Sequence, residues 1–249
     1  IKKGKRMKRL IQKKLKKTKE NLYYILSALM IGLIVGGIDA LFGRVLIAIT
    51  DFRGRYIQIL IWFLPIAGLF ICWMYHRFNE MSLKGMTLVL ETAQGKRADI
   101  PLALVPLVMV GTWITHLFGG SAGREGVAVQ IGATLSHWFA RRFKFADNRT
   151  ILLIAGMAAG FGGLFQTPFA AVFFAMEVVV TGKMLYQAFL PSLVAAVTAS
   201  TFSNALGLEK FAVPLKQSFN LSESKTMFYM VILGVAFGLT GRVFSVLLK

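Results

Sequence analysis

The run Gly119-Gly120-Ser121-Ala122-Gly123-Arg124-Glu125-Gly126-Val127 concentrates the chemistry of this sequence. Glycines loosen the backbone, a guanidinium and a carboxyl stand side by side, and the apolar stretch from Val127 to Ala140 predicts a short helix opening here. A helix start presents unpaired N–H groups and about half a positive charge, so it stabilises an anion without a full basic side chain beside it. Glu125 is itself a tethered anion. Its carboxylate can occupy such a site in place of a solute ion, and swing away or take a proton when one arrives. A lone ionisable group at membrane depth costs on the order of 3 kcal/mol or more when charged, so protonation there is easily driven. A residue of this kind couples an anion to a proton.

Arg124 reads differently: pairing with its neighbours, it braces the loop rather than touching a ligand. Gly119-Gly120-Ser121-Ala122-Gly123 also fits the G-x-S-x-G nucleophile elbow, with Ser121 as nucleophile. That elbow needs a strand before it and an acid followed by a histidine after it. Ile100 to Phe118 is too long and apolar for such a strand, and His137 is the only later histidine. A hydrolase is therefore disfavoured.

A second helix start is expected at Gly85-Met86-Thr87-Leu88-Val89, where the amides of Gly85, Met86 and Thr87 can face the same cavity. Met86, a soft and weakly accepting thioether, acts there as an apolar wall that discriminates by size and dehydration. Phe165-Gln166-Thr167-Pro168-Phe169 joins two half-helices, the second ending at Met176-Glu177-Val178. Glu177 is a candidate stop on a proton route; it equally serves to end a helix beside Lys183.

The elements that hold these residues are written in the composition. The chain has 249 residues, 56% of them hydrophobic, with a mean hydropathy of +0.64. That excludes an ordinary soluble domain. Cys72 is the single cysteine, which excludes an internal disulfide framework and a thiolate metal site, and no metal or cofactor is implied. Leu22–Ile49 and Tyr56–Tyr75, joined by a loop at 51–55, exceed the roughly 20 residues that cross a bilayer core. Ile100–Phe118, Leu185–Leu206 and Met227–Leu248 read as further crossings. Between them, Val127–Ala140, Ile151–Phe165 and Phe169–Val180 are bounded by glycines, basic clusters and Pro168, and are too short to cross alone. Broken helices survive at membrane depth only where their loose ends face protein or a wet cavity, so they point to a pathway. Gly32, Gly36, Gly156 and Gly160 are read as packing glycines that let helices approach.

Net charge is +18, from 29 basic and 11 acidic residues, and 11 of the basic ones fall in the first 19 positions. The stripe Met7, Ile11, Leu15 within residues 1–21 makes an amphipathic helix for an anionic inner leaflet. No signal-peptide cleavage site follows, so the first apolar segment is expected to stay. Placing residues 1–21, 77–99, 141–149, Lys183 and Lys249 inside collects 21 of the 29 basic residues, against 5 in 51–55 and 207–225. Both ends are then cytoplasmic, in the cell (inner) membrane. Nucleic acid is a poor candidate partner beside several spans. A shift of 202 residues aligns Gly32 with Gly234, Gly36 with Gly238 and Phe42 with Phe244. This suggests a first repeat over 22–206, a connection over 207–225, and the first helix of a second, inverted repeat over 226–249.

On these residues the sequence resembles the CLC family of chloride channels and anion/proton antiporters. Gly123-Arg124-Glu125-Gly126-Val127 is similar to the family's GREGP motif, with Val129-Gln130-Ile131-Gly132 continuing the match. Gly85-Met86-Thr87-Leu88-Val89 falls on its GSGIP-type anion motif, and Gly163 to Glu177 on its dimer-side half-helices. The resemblance implies an all-helical, multi-span, inverted-repeat transporter with short re-entrant helices, of which the chain holds about the first half. It also implies an anion site at Gly85, Met86, Thr87, Arg124, Gly126 and Val127, with Glu125 as gating and proton-coupling residue. Met86 in place of the serine of chloride-handling members resembles the bacterial fluoride/proton antiporter branch, and Val127 in place of proline also departs from the chloride pattern. The internal proton glutamate of many antiporters falls on Val178, so that role does not carry over; Glu177 is only its neighbour. The resemblance implies fluoride export driven by proton import in a homodimer formed through the half-helices after Pro168. A chloride antiporter or channel of the same family, and a non-transporting membrane module that needs a partner half, remain the alternatives.

Overall fold

In the computed structural model the described residues are 2–97, 99–143, 149–179, 183–210 and 223–248, with side chains from residue 22 onward. The described residues form helices and turns, with no strand among them. The chain divides into two compact units, 1–210 and 211–249.

The first unit opens with α1 (Lys2–Leu60), which continues without a break through 51–55, where the sequence suggested a loop. The reason is local: no proline occurs before Pro65, and isolated charges on an exposed helix face do not end a helix. The chain turns instead in one 3-10 turn, Ile61–Phe63, and α2 (Leu64–Phe78) starts with Pro65 in its first turn, where a missing N–H is harmless. Arg53, expected in the loop, donates from Nη1 to His116 O, 3.4 Å away in the last turn of the helix over Leu104–Leu117. The Met7, Ile11, Leu15 stripe lies on residues whose side chains are outside the described set.

After a 3-10 turn at Glu80–Lys84 comes α3 (Gly85–Ala93). The expected crossing Ile100–Phe118 is helical only over α4 (Leu104–Leu117), because Pro101 and a turn at 102–103 delay its start. The three short middle runs become α5 (Glu125–Arg142), α6 (Arg149–Phe165) and α7 (Pro168–Val178). A 3-10 turn at Tyr186–Ala188 leads into α8 (Phe189–Ala205).

α6 is the hub and packs on α1, α5, α7 and α8. It is apolar or small all round and buried from Leu152 to Gly160, as a helix surrounded by others must be. Glycines set the approach. On α6, Gly156 and Gly160 lie against Gly132 and Ala128 of α5 so closely that a Cβ on either would collide with backbone carbonyls. On α1, a Cβ on Gly32 or Gly36 would stand 2.7 Å from the carbonyls of Ala195 or Ala199 in α8. Small residues thus let these helices meet backbone to backbone.

The second unit contributes α9 (Ser224–Leu247), a helix of 24 residues. Most of the expected connection 207–225 lies outside the described residues. By length and composition, Leu22–Phe78, Tyr186–Ala205 and Ser224–Leu247 are apolar enough to cross a membrane, while α4, α6 and α7 are shorter apolar helices. The protein is a multi-pass, all-α membrane protein.

Candidate functional site

Residues 118–124 leave the α4 axis as non-helical chain and lead directly into α5. Gly119 starts the departure at φ +83°, a conformation that side-chain-bearing residues rarely adopt. Arg124 is the N-cap of α5, and Glu125 is the acid in its first turn, where it faces the positive end of the helix dipole. The Ala128 N–H already donates to Arg124 O at 3.0 Å, so the α5 amides left over for a ligand are those of Glu125, Gly126 and Val127. Glu125 is exposed, Gly126 half-buried, and the Val127 side chain is buried in the cluster that joins α1, α4 and α5. Arg124 holds its guanidinium 5.7 Å from the centre of the Phe165 ring, a contact that ties the start of α5 to the end of α6.

The second helix start is also where the sequence put it. Asn79 accepts from Ser82 N at 3.0 Å and from Ser82 Oγ at 3.1 Å, fixing the 3-10 turn that delivers the chain to Gly85. Gly85 takes φ +50°, and its own N–H donates to Ser82 O. That corrects one expectation. The Gly85 amide is used inside the turn, so in α3 the amides of Met86 and Thr87 are the ones that remain. Met86 is half-buried against the core cluster of Leu88 and Val89, and Thr87 is exposed.

Sequence reasoning passed over the residue that lies between these two starts. The point where a Cβ would stand on Gly85 is 3.6 Å from Gln130 Oε1, and the matching point on Gly126 is 3.8 Å from Gln130 Nε2. Gln130 is 8% exposed and sits one turn after Gly126 on the same face of α5. A buried polar residue one turn inside a helix that starts at glycine was the signal available. Glu177 is not part of this group: it is exposed near the end of α7, which packs mainly on α6 and α8.

At the opposite end of α5, His137 Nε2 lies 3.1 Å from Asp99 Oδ1, and Arg141 pairs with Asp99. Partial burial raises the Asp99 pKa, but hydrogen bonds and charge from Arg141 and His137 outweigh it and hold the carboxyl below its ordinary value. The pairing ties 99–102 to the last turns of α5. Ser121 follows a helix and not a strand, so the nucleophile-elbow frame is missing. Among the described residues no group of three or more His, Cys, Asp or Glu side chains is placed to hold a metal.

The family model for voltage gated chloride channels matches residues 67–249. This chain belongs to the CLC family. Its members include transporters, and CLC-type architecture is what the comparison of structures finds: a crystal structure of a CLC-type fluoride/proton antiporter superposes with a TM-score of 0.82 at 46% identity, over 89% of this chain and 56% of that one. A chloride/fluoride channel protein of Pseudomonas syringae pv. tomato is 34% identical over 217 residues, 87% of this chain and 48% of its own length. The H(+)/Cl(−) exchange transporter ClcA of Citrobacter koseri is 26% identical over 256 residues, 95% of this chain and 53% of its own. The chain thus spans about half the length of the CLC relatives it matches.

Proposed function

We propose that the protein exports fluoride in exchange for protons. The observation that carries this reading is the convergence of two helix starts on Gln130, one bearing Met86 and the other Glu125. The amides of Met86 and Thr87 on one side, and of Glu125, Gly126 and Val127 on the other, supply donors for one small anion. Glu125, exposed on its helix start, competes with that anion as a carboxylate and yields to it when protonated. Met86 supplies an apolar wall where a hydroxyl would favour a larger, more easily dehydrated halide. The similarity to the fluoride/proton antiporter supports this choice of ion. Inward proton flow drives export, with about 2.3 kcal/mol per charge per 100 mV added when net charge moves inward.

The reading extends to assembly and placement. The exposed rings of Phe169, Phe173 and Phe189, together with Leu190, form an apolar face along α7 and α8 suited to a second copy. Residues 22–206 constitute the first repeat and α9 begins the second. Both ends of this chain lie on the cytoplasmic side of the cell membrane. Glu177, apart from the two helix starts, is a candidate second stop for protons. Chloride/proton exchange is the second reading, favoured by the similarity to ClcA.

The test uses the intact protein in liposomes loaded with fluoride or with chloride. Fluoride efflux should exceed chloride efflux and move protons in the opposite direction, and Met86→Ser should raise chloride efflux relative to fluoride. Equal efflux of the two halides from the unaltered protein would reject fluoride selectivity and favour the second reading.

A further inference from the structure

Asp39 lies on α1 among packing residues and is 0% exposed. Among the described residues, neither of its carboxyl oxygens has a hydrogen-bond partner. Its Oδ2 rests against the backbone of Gly163 on α6, so closely that a Cβ at that glycine would overlap it. The neighbouring polar groups are already committed elsewhere. Gly163 O accepts from Ser203 Oγ at 2.7 Å and from Gln166 Nε2 at 3.0 Å. Gln166 Nε2 also lies 2.7 Å from Ser203 Oγ, and Ser200 Oγ donates to Gln166 Oε1 at 3.1 Å. Gln166 is held at φ +57° at the break between α6 and α7, which turns its side chain into this cluster.

Among the described residues no cation pairs with the carboxyl, and the Arg124 guanidinium lies 5.7 Å from the centre of the Phe165 ring. α8 carries no titratable residue, and α6 carries only Arg149, at its far end. On α1 the nearest guanidinium, Arg44, donates to Leu206 O at 3.1 Å. On α4, His116 is hydrogen-bonded to Thr112 O, and on α5 the ionisable groups are Glu125 at the start and His137, Arg141 and Arg142 toward the other end. An isolated carboxylate removed from water and from every donor is strongly disfavoured, and such a group takes up a proton instead of bearing the charge. Among the described residues there is no set of further carboxylates around it to hold a metal.

We propose that Asp39 is a proton-binding site: its carboxyl, enclosed between α1, α6 and α8, holds a proton at neutral pH. Asp39 lies on α1 whereas Glu125 opens α5, and its protonation does not depend on which anion the protein carries. The neutral acid lets α1 pack on Gly163, and loss of the proton places an unbalanced charge at that contact.

The test is infrared spectroscopy of the intact protein in lipid, with aspartate carbon-13-labelled at the side-chain carboxyl. The unaltered protein should show, at neutral pH, a protonated-carboxyl C=O band that moves with the label, and Asp39→Asn should remove it. Absence of the band, or its persistence in Asp39→Asn, would overturn the proposal. Should Asp39→Asn fail to assemble, Asp39→Glu answers the same question, because the band should then cease to respond to the aspartate label; a band that still responds overturns the proposal.

Discussion

The position of Glu125 depends on how closely α5 lies on α6, and Gly160→Ala perturbs that distance directly. A Cβ on Gly160 would stand 2.9 Å from the carbonyl carbon of Ala128 and 3.2 Å from Gly132 N, where 3.4 Å begins ordinary contact, and it would collide with the Ala128 carbonyl oxygen. The two helices must therefore separate by about an ångström or more at a point one turn from Glu125, because the Ala128 carbonyl oxygen is the nearest obstacle. Overpacking of this kind costs about 1–3 kcal/mol, against which the better helix propensity of alanine returns about 1 kcal/mol. A net loss on the order of 1 kcal/mol lowers Tm by about 2–4 °C in a chain of this size. Thermal unfolding of the purified protein, together with fluoride-driven proton flux in liposomes, reads both consequences. Gly54→Ala is the control, because nothing lies within 4 Å of a Cβ there. It should leave Tm unchanged or slightly higher. If Gly160→Ala matches that control in Tm and flux, the backbone contact does not position the site.

Other consequences follow from the same geometry. Ser203→Ala removes a buried hydroxyl that serves Gly163 O and Gln166 at once, and should destabilise the protein by about 1–3 kcal/mol in denaturant unfolding. The Asp99 pKa is lower in the folded chain than in the unfolded one, so its contribution is present above the ordinary carboxylate range and is lost as pH falls through the lowered value. Asp99→Asn should therefore lower stability at neutral pH and flatten the acid limb of the profile below about pH 4. Gln130→Leu removes the amide between the two helix starts and should weaken fluoride binding measured by calorimetry, with little change in Tm.

The short middle helices were legible because their ends carry breakers: Pro168 opens α7, and the glycine run before Glu125 precedes α5. The first reversal was not legible. Charges at Asp51, Arg53 and Arg55 resemble a loop, but Asp51 and Arg55 are exposed and Arg53 bonds to His116 O, all within a helix that runs on to Leu60. At the candidate site, the helix starts at Gly85 and Glu125 could be read from residue type and local context. The use of the Gly85 amide could not, since it depends on a 3-10 turn capped by Asn79. Gln130 was missed for a related reason: its importance comes from α3 approaching α5, a tertiary contact between residues far apart in sequence. Asp39 looked like a mere interruption of an apolar run, and only packing against Gly163 reveals its isolation.

On the proposed mechanism, Glu125 links anion movement to proton movement. The most direct measurement is proton flux into liposomes during fluoride efflux, comparing the unaltered protein with Glu125→Gln. The amide cannot carry a proton, so fluoride-driven proton entry should disappear while the protein remains folded. Proton entry at the unaltered rate in Glu125→Gln would contradict the account.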